Sequence, residues 1–542
     1  MTRRESLGAI GVAAFAAPAP PTFDADLIRR HDGAVDSYLK NQVTAANSPW
    51  RGALPDAYGL HAPGTAAGLW DVFTAAYVCP QSRHHRKAEL LERIALAAGF
   101  LERSMSPEGN IYLPITNFNS PPDSAFAVRS SANTVLVARQ NQATEILRMI
   151  EPLVKRMADA IAVGGIHTPN HRWVVSAALA QAHELWPEPQ YLRRIDQWLA
   201  EGFDIDPDGQ WSERSTVTYN TICDQALTVL AHKLKRPEYL EPVRKNLESM
   251  LYLIHADGEV DTSFSRRQDA FTRGTMAGYW FPLQYLAVKQ GDGRFGNLAM
   301  SLWPKAASLS LLMTYPELNR RDLKTAPLPE NYAHEMPHNQ VARIRRGLAS
   351  VTIHTGGRDR VVSLRNGDAV INAIRFASAF FGKGQFVPQT MTRTGAGYTM
   401  TQQLEAPYYQ PFTPTRVIGA DEWDQTQKLR PQTQVGRLTQ SATVTEIPNG
   451  LRVEIVAEGT SNVPVAVEIN MREGGKVSGT EGSLLTAREG VFTLGPHAIK
   501  IKGGGCDHRY LEIRGARPPL PGPSVYVTGF TPFRRVLEFS WS

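Results

Sequence analysis

The chain has 542 residues, of which 42% are hydrophobic and 20% charged, and its formal net charge is +6 at pH 7. A chain of this length is too long to fold around one hydrophobic core, so two domains are expected. No segment resembles a transmembrane span, and we therefore predict no membrane partner. The basic residues are spread along the chain, which argues against a nucleic-acid partner and is compatible with an anionic polysaccharide.

The N-terminal segment has the pattern of an export signal. Arg3 and Arg4 precede a weakly apolar stretch at residues 7–17, where residues 14–16 offer a small-residue cleavage site. A charged start, a short apolar middle and a small-residue end are typical of a signal peptide, and the paired arginines indicate twin-arginine export. We expect residues 1–22 to be a signal peptide and the protein to be periplasmic or secreted.

Several classes of site are not predicted. Cys79, Cys223 and Cys506 lie far apart in the sequence, with neither CxxC nor metal-ligand spacing, which argues against a disulfide framework or a metal site. No phosphate-binding loop, nucleotide fingerprint or serine nucleophile elbow occurs. We therefore predict no cofactor, and the sequence leaves the oligomeric state open.

Residues 23–330 are predicted to be helical. Apolar residues recur at three- and four-residue spacing, as at Leu90, Ile94, Ala97 and Leu101, which is the period of an amphipathic helix. Short breaks rich in Pro, Gly, Asn and Asp separate the helices. Such repeated antiparallel hairpins predict an (α/α) toroid. The clearest predicted helices cover residues 87–103, 142–163, 172–185, 190–201, 220–233 and 237–254.

Residues 331–542 are predicted to form an antiparallel β-sandwich, so the expected fold class is an α+β multidomain protein. The hydrophobic period changes to two beyond a proline-rich stretch at residues 327–337. Turn signals such as Asn449-Gly450 separate the β-branched runs. The predicted strands include residues 351–354, 360–364, 443–447, 452–457, 465–469 and 525–529.

Three polar and aromatic segments of the helical part are candidate site loops. They contain Asn117 and Asn119 in the first segment, Asn170 and His171 in the second, and Tyr219 in the third. Each residue also has an ordinary structural interpretation. Asn170 could simply cap a helix, His171 could be a surface residue of a first turn, and Tyr219 could be a core aromatic whose hydroxyl is satisfied.

Taken together, these segments resemble the heparinase II/III-like and alginate-lyase superfamily of polysaccharide lyases. In that family an Asn-His pair opens one toroid helix, and a tyrosine follows roughly fifty residues later, after an Asp-Gly turn. Here Asn170-His171 and Tyr219 are 219 − 170 = 49 positions apart, and Asp208-Gly209 precedes the tyrosine. The resemblance implies a lyase that cleaves a uronic-acid-containing glycan by β-elimination, with Asn170, His171 and Tyr219 as catalytic residues.

The chemistry explains the residue types. The C5 proton of a uronate is scarcely acidic while the neighbouring carboxylate is charged, so a neutral amide such as Asn170 would stabilise the enediolate-like transition state. A base must then reach C5, and an acid must protonate the leaving oxygen. The resemblance assigns acid/base work to Tyr219, and His171 is a second base or a carboxylate neutraliser. A phenol acting as base requires nearby cations.

Further residues are predicted to bind the substrate. Arginines can clamp carboxylates bidentately, and the family often adds a catalytic histidine from a His-x-His-x-Asp strand motif. That motif is absent from this sequence, so the acid/base pairing stays open, and histidines near the domain boundary are candidates for facing the cleft. The predicted substrate-binding residues are Asn117, Asn119, Arg214, Arg266, Arg267, His338 and His354.

Two other functions remain open at this stage. A glycoside hydrolase on a helical toroid would need two carboxylic acids flanking its cleft. A non-catalytic glycan-binding protein would use the same loops with Trp and Tyr as sugar-stacking platforms. The carboxylates available to a hydrolase are Asp208, Glu213, Asp224 and Asp269.

Overall fold

Helices dominate the first part of the chain. The computed structural model describes residues 22–395 and 397–541, so the predicted signal peptide lies outside the described residues except for Thr22. The helices are α1 (Ala25–Asn41), α2 (Thr65–Val78), α3 (Ala88–Ser104), α4 (Pro121–Gln140), α5 (Thr144–Val163), α6 (Asn170–Leu185), α7 (Pro189–Leu199), α8 (Tyr219–Lys233), α9 (Leu240–Met250), α10 (Trp280–Gln290), α11 (Gly293–Ala306), α12 (Leu309–Thr314) and, in the second part, α13 (Trp423–Thr426).

The apolar period of the sequence corresponds to the buried faces of these helices. In α5 the buried positions include Ile146, Ile150, Val154, Met157 and Ile161, which recur every three or four residues. This spacing places them on one helical face. Each such side chain, when fully buried, contributes about 1.5–3 kcal/mol relative to an exposed one, so packing fixes the helix orientation.

The second part of the chain is built from antiparallel strands, and a short β-hairpin lies among the helices. The strands are β1 (Ile111–Leu113), β2 (Asn117–Ser120), β3 (Asn331–Met336), β4 (Val341–Arg346), β5 (Ala349–His354), β6 (Val362–Asn366), β7 (Ala369–Ser378), β8 (Thr390–Thr394), β9 (Gly397–Tyr409), β10 (Gln432–Ile447), β11 (Gly450–Gly459), β12 (Pro464–Met471), β13 (Lys476–Val477), β14 (Glu489–Leu494), β15 (His497–Lys502), β16 (Ser524–Phe530) and β17 (Phe533–Ser540).

These later strands form two sheets that share one hydrophobic core. The seven-stranded sheet has the order β16-β12-β7-β6-β5-β4-β3, and the eight-stranded sheet has the order β13-β14-β15-β17-β11-β10-β9-β8. Val351 and Ile353 of β5 belong to the same buried cluster as Val453 and Ile455 of β11. Two antiparallel sheets packed through one core make a β-sandwich.

Alternation along β11 sets which residues enter that core. Leu451, Val453 and Ile455 are fully buried, whereas Arg452 between them is exposed. Side chains of a strand point to opposite faces in turn, so a shift of one residue in register would place the arginine in the core. The turn at Asn449-Gly450 fixes the pairing of Ile447 with Gly450.

Contacts within the chain divide it into two units. The first unit comprises residues up to 166 together with residues 174–195 and 303–323, and the second comprises residues 167–173, 196–302 and 324 onward. The second unit thus contains the sandwich and also helical and loop segments from the first part of the chain. No helix within residues 22–395 or 397–541 is long and apolar enough to cross a membrane.

Candidate active site

Asn170 and His171 form the first turn of α6. Asn170 is 1% exposed, and its side-chain nitrogen donates hydrogen bonds to the Thr168 hydroxyl at 3.1 Å and to the Glu213 carboxylate at 2.8 Å. His171 is also buried, and its ring packs edge-on against His167 with 4.7 Å between ring centres. The pair therefore occupies an interior position at a helix start.

Glu213 links this helix start to the third predicted segment. Its carboxylate accepts the bond from Asn170, and its other oxygen, Oε1, is buried without a hydrogen-bond partner. Burial raises the pKa of Glu213, while the Asn170 amide and the nearby Arg267 guanidinium oppose that shift. The site thus holds a partly desolvated carboxyl group beside the amide that the sequence assigns to the substrate carboxylate.

Tyr219 opens α8 and has two polar partners from a second loop. Its backbone N–H donates to the Ser215 hydroxyl at 3.0 Å, which fixes the start of the helix. Gln268 Nε2 donates to the Tyr219 hydroxyl oxygen at 2.6 Å, and the Arg267 guanidinium carbon lies 4.9 Å from the ring centre. A hydrogen bond with Tyr219 is the main reason why the pKa of Arg267 is raised.

The loop before Tyr219 and the loop carrying Arg267 are bonded along their length. The Arg266 backbone N–H donates to the Arg214 carbonyl at 2.8 Å, and the Val217 N–H donates to the Asp269 carboxylate at 3.2 Å. The Thr216 hydroxyl donates to the carbonyl of residue 261 at 3.1 Å. These bonds explain how residues about fifty positions apart in sequence come to share one site.

Arg358 lies in the sandwich, in the loop between β5 and β6, and it binds the loop that carries Arg267 and Gln268. Its guanidinium donates to the carbonyl oxygens of Ser263 and Ser265, both at 3.1 Å, and to that of Phe264. Three charge-assisted bonds to consecutive carbonyls restrict the backbone directly before residues 266–268. The position of Gln268 at the Tyr219 hydroxyl therefore depends on a residue of the sandwich.

A buried ion pair anchors the start of the same loop. Arg343 of β4 is 0% exposed and donates to the Asp261 carboxylate at 2.9 Å, and Thr352 of β5 donates to the same oxygen. Arg343 is a main cause of the lowered pKa of Asp261, against the opposing effect of burial. Removal of either partner would leave an uncompensated charge in the interior.

The predicted Asp-Gly turn is tied to the sandwich as well. The Asn339 backbone N–H and side-chain amide donate to Asp208 at 2.8 and 2.9 Å. Gly209 has φ +85°, and a Cβ at this position would lie 2.6 Å from the Lys245 carbonyl oxygen. Only glycine fits there, because other residues would meet both backbone strain and a steric clash.

The remaining predicted substrate-binding residues differ in accessibility. Arg266 and His338 are exposed. Arg214 is buried, and it donates to the His338 carbonyl at 3.0 Å. Burial, together with the charge of Arg266, lowers the pKa of Arg214 to about 10. Arg214 therefore supports the loop, whereas Arg266 offers a guanidinium to solvent.

His354 is not part of this arrangement. His354 is 0% exposed in β5, both ring nitrogens lack hydrogen-bond partners, and burial lowers its pKa to about 3. A direct substrate contact by His354, as predicted from the sequence, does not fit that burial. Asn117 and Asn119 lie in the first unit, where they bond to Asp123 and Asn110, and their substrate role stays a prediction.

The carboxylates that a hydrolase would use have other contacts. Asp224 is 0% exposed and accepts from the Trp211 indole, and burial raises its pKa well above the usual value. Asp208 holds Asn339, and Asp269 is 3% exposed and accepts from the Val217 N–H. Within the part of the chain that the structure describes, no group of His, Cys, Asp or Glu is arranged to hold a metal ion.

Sequence reasoning missed three members of the site. The sequence presents Glu213 only as a carboxylate for a hydrolase, and it gives Gln268 and Arg358 no predicted role. The available signals were the position of Glu213 between the Asp-Gly turn and Tyr219, and that of Gln268 directly after two arginines. Nothing in the sequence pairs Arg358 with a loop about ninety residues earlier.

Comparison with known proteins gives matches among solved structures alone. No family model and no curated protein matches the chain. Chondroitin AC lyase of Streptomyces coelicolor A3, in complex with chondroitin sulphate, has 13% identity and a TM-score of 0.56, over 98% of this chain and 80% of that one. Heparinase III has 11% identity and a TM-score of 0.57, over 98% and 88%. A mutant of the heparan sulfate lyase HepC from Pedobacter heparinus has 10% identity and a TM-score of 0.53, over 98% and 85%.

The resemblance to heparinase II/III-like lyases is confirmed at the level of fold. The predicted fold class, an N-terminal (α/α) toroid followed by an antiparallel β-sandwich, is likewise that of these neighbours. At identities of 10–13% the similarity concerns the fold. Function has to be argued from the site, because one fold supports several chemistries.

Proposed function

We propose that the protein is a polysaccharide lyase that cleaves a uronic-acid-containing glycan by β-elimination. One observation carries the proposal: the Tyr219 hydroxyl is held by Gln268 beside the Arg267 guanidinium. Glu213 connects this group to the predicted Asn-His pair. Its carboxylate interacts electrostatically with the Arg267 guanidinium and accepts a hydrogen bond from the Asn170 amide. An anionic polysaccharide or oligosaccharide is the corresponding partner.

The reaction assigns a role to each group. Tyr219, as phenolate, removes the C5 proton of the uronate, and the resulting electron pair forms the C4–C5 double bond as the C4–O bond breaks. The protonated Tyr219 then supplies a proton to the leaving glycosidic oxygen, so that the base is regenerated. Arg267 stabilises the phenolate through its positive charge, and His171 is the second base or carboxylate neutraliser.

Asn170 must exchange a partner to act on the substrate. Both of its N–H groups are engaged, one by Thr168 and one by Glu213. A substrate carboxylate would take the place of the Glu213 oxygen as acceptor, and protonation of Glu213 would favour that exchange. The raised pKa of Glu213, caused by burial, is in the direction that this exchange requires.

The names of the fold neighbours support this class of substrate. They are lyases of chondroitin and heparan sulfate, and one contains bound chondroitin sulphate. Arg266 is an exposed arginine adjacent to Arg267 and provides a guanidinium for a carboxylate or sulfate. A panel of substrates identifies the specific polymer, and the sizes of the products distinguish internal from terminal cleavage.

The decisive experiment measures ultraviolet absorbance during incubation with a panel of uronate polysaccharides. A lyase leaves an unsaturated uronate whose conjugated double bond absorbs in the ultraviolet, whereas a hydrolase or a binding protein gives no such rise. We expect an increase with at least one polymer. Tyr219→Phe should lower kcat by about 10²–10⁴-fold, since it removes the acid/base group but keeps the ring.

Tyr510→Phe is the matched control, because Tyr510 is an exposed sandwich residue whose ring would likewise be retained. It should leave kcat unchanged. A new reducing end without ultraviolet absorbance would favour the hydrolase. Near-normal activity of Tyr219→Phe, with absorbance produced, would refute the acid/base role of Tyr219.

We also propose that the protein acts after export, in the periplasm or outside the cell. The proposal depends on the signal-peptide pattern at residues 1–22. Replacing both Arg3 and Arg4 by lysine should keep the protein in the cytoplasm if twin-arginine export is used. Cells that express the wild-type protein or the Arg3→Lys/Arg4→Lys variant are fractionated, and the amount of protein in the cytoplasmic and exported fractions is compared.

A further inference from the structure

Two imidazoles lie together at the start of α6. His167 is exposed and His171 is buried, and their rings pack edge-on with 4.7 Å between the ring centres. The proposed function uses the buried ring of His171 and leaves the exposed ring of His167 without a role. A polysaccharide approaches from solvent, so the exposed ring is the more accessible of the two imidazoles.

The backbone after His167 is held by short-range hydrogen bonds. The His171 backbone N–H donates to the Thr168 carbonyl at 3.1 Å, and the Asn170 side chain donates to the Thr168 hydroxyl at 3.1 Å. Pro169, between them, has its φ fixed by the pyrrolidine ring. His167 therefore precedes a stiff turn, and the edge-on contact with His171 further restricts its ring.

The His167 imidazole also acts on the carboxylate that holds Asn170. Burial raises the pKa of Glu213, and the hydrogen bond from Asn170 and the charge of Arg267 oppose that shift. The charge of His167 opposes it as well. Coulomb interactions weaken with distance, so this effect places His167 near the Glu213 carboxylate. An anion that took the place of this carboxylate at the Asn170 amide would therefore lie near the same imidazole.

Asp204 also acts on Glu213, but its own charge is compensated. Asp204 adds to the raised pKa of Glu213, and it pairs with Arg172 at 2.9 Å. Its carboxylate therefore already has a cation as a partner. Protonation of Glu213, which favours the exchange at Asn170, removes the carboxylate charge on which His167 acts. An incoming substrate carboxylate would restore that pairing.

We propose that His167 is a substrate-binding residue that donates a hydrogen bond to the carboxylate of the reacting uronate. The inference rests on the proposed function, because this carboxylate is the one to which the Asn170 amide donates. An imidazole has an N–H donor in both its neutral and its protonated form. The assignment gives carboxylate binding to His167 and leaves the role of second base to His171.

Steady-state kinetics of His167→Phe, with a polymer that gives the ultraviolet-absorbing product, test this role. The variant keeps a flat ring against His171 but removes both ring nitrogens. KM should rise by about fivefold or more, because a hydrogen bond to the carboxylate is lost, with little change in kcat. His167→Arg restores a cationic donor and should bring KM back towards the wild-type value. His85→Phe is the matched control, because His85 is an exposed histidine of the first unit, and it should leave KM unchanged.

Calorimetric titration of the full-length Tyr219→Phe protein measures the same contact without turnover. The probes are saturated tetrasaccharides of chondroitin sulfate, heparan sulfate and alginate, each also in its carboxyl-reduced form. Addition of His167→Phe should weaken the binding of at least one uronate probe by about fivefold or more. It should leave the affinity for the carboxyl-reduced form of that probe unchanged, whereas a role in packing alone would weaken both forms alike.

The failure of this inference is distinguishable from the failure of the proposed function. Equal affinities of Tyr219→Phe and the double variant, an equal loss for both forms of a probe, or no binding of any uronate probe would overturn the role of His167. A selective loss for the uronate form, with no ultraviolet-absorbing product from wild-type protein, would support the carboxylate site and reject the lyase. Absorbing product with an unaffected affinity of the double variant would support the lyase and reject the role of His167.

Discussion

The Arg267 guanidinium carbon lies 4.9 Å from the centre of the Tyr219 ring, and Gln268 donates to the hydroxyl of the same residue at 2.6 Å. A cation at this distance is attracted to the electron-rich face of the ring. The chemistry proposed for Tyr219 therefore depends on the loop formed by residues 261–269.

Arg267→Gln is expected to lower kcat by about 10- to 100-fold, because a charge beside the developing phenolate is lost. The loss should appear in kcat with little change in KM, since the charge acts on the transition state. Arg267→Lys should retain part of the activity, as it keeps the charge without the planar fork. Initial rates from ultraviolet absorbance across a series of substrate concentrations give kcat and KM for each variant.

Arg266→Gln provides the contrast. The Arg266 side chain is exposed, and its backbone N–H, not its guanidinium, bonds to Arg214. Its substitution should raise KM with little change in kcat, because binding in the ground and transition states is lost equally. An equal loss of kcat in Arg266→Gln and Arg267→Gln would contradict the proposal that Arg267 acts on Tyr219.

Asn170→Asp should destabilise the protein as pH rises. The new carboxylate would lie at the 2.8 Å contact with Glu213, and two ionised carboxylates at that separation repel by roughly 2–4 kcal/mol in a partly buried site. Thermal unfolding at pH 5 and pH 8 should show the larger loss at pH 8. The double variant Asn170→Asp/Glu213→Gln should recover most of that loss, whereas unchanged pH dependence would exclude charge repulsion.

Arg358→Gln should reduce kcat by about tenfold without contacting the substrate, because the three carbonyls before residues 266–268 lose their shared donor. The kcat of Arg358→Lys should lie between those of the wild-type protein and Arg358→Gln. As a readout of positioning, kcat should fall with little change in KM, as for Arg267→Gln. A lower melting temperature with an unchanged kcat would mean that Arg358 serves stability alone.

His354→Leu should make the protein less sensitive to acid. Because burial lowers the folded-state pKa of His354 from 6.5 to about 3, its contribution to stability is complete above pH 6.5 and is lost as the pH falls towards 3. The linkage amounts to about 2 kcal/mol of unfolding free energy at pH 5. Denaturant unfolding at pH 7.5 and pH 5 should show a smaller difference for the variant.

The exposed His338 is the control for that measurement. His338→Gln should retain the wild-type difference between the two pH values, because it replaces an exposed imidazole and leaves the buried one in place. If His354→Leu and His338→Gln behave alike, the buried imidazole is not a source of the acid sensitivity.

Local periodicity in the sequence determined the helices, the strands and the order in which they occur. The predicted helices at residues 87–103 and 220–233 correspond to Ala88–Ser104 and Tyr219–Lys233. The predicted strand at residues 465–469 lies within Pro464–Met471. Such patterns are readable because burial of one face imposes a period of 3.6 or 2 on the apolar residues. Short motifs likewise singled out Asn170, His171 and Tyr219.

Tertiary structure alone decided which side chains meet. Glu213 accepts from an amide 43 residues earlier, and Arg358 bonds to carbonyls 93–95 residues earlier. It also decided that His354 is buried in the sandwich, although its sequence neighbourhood suggested the cleft. A sequence pattern records what each residue needs along its own helix or strand, whereas contacts between distant segments arise from the packing of those elements, which no local period encodes.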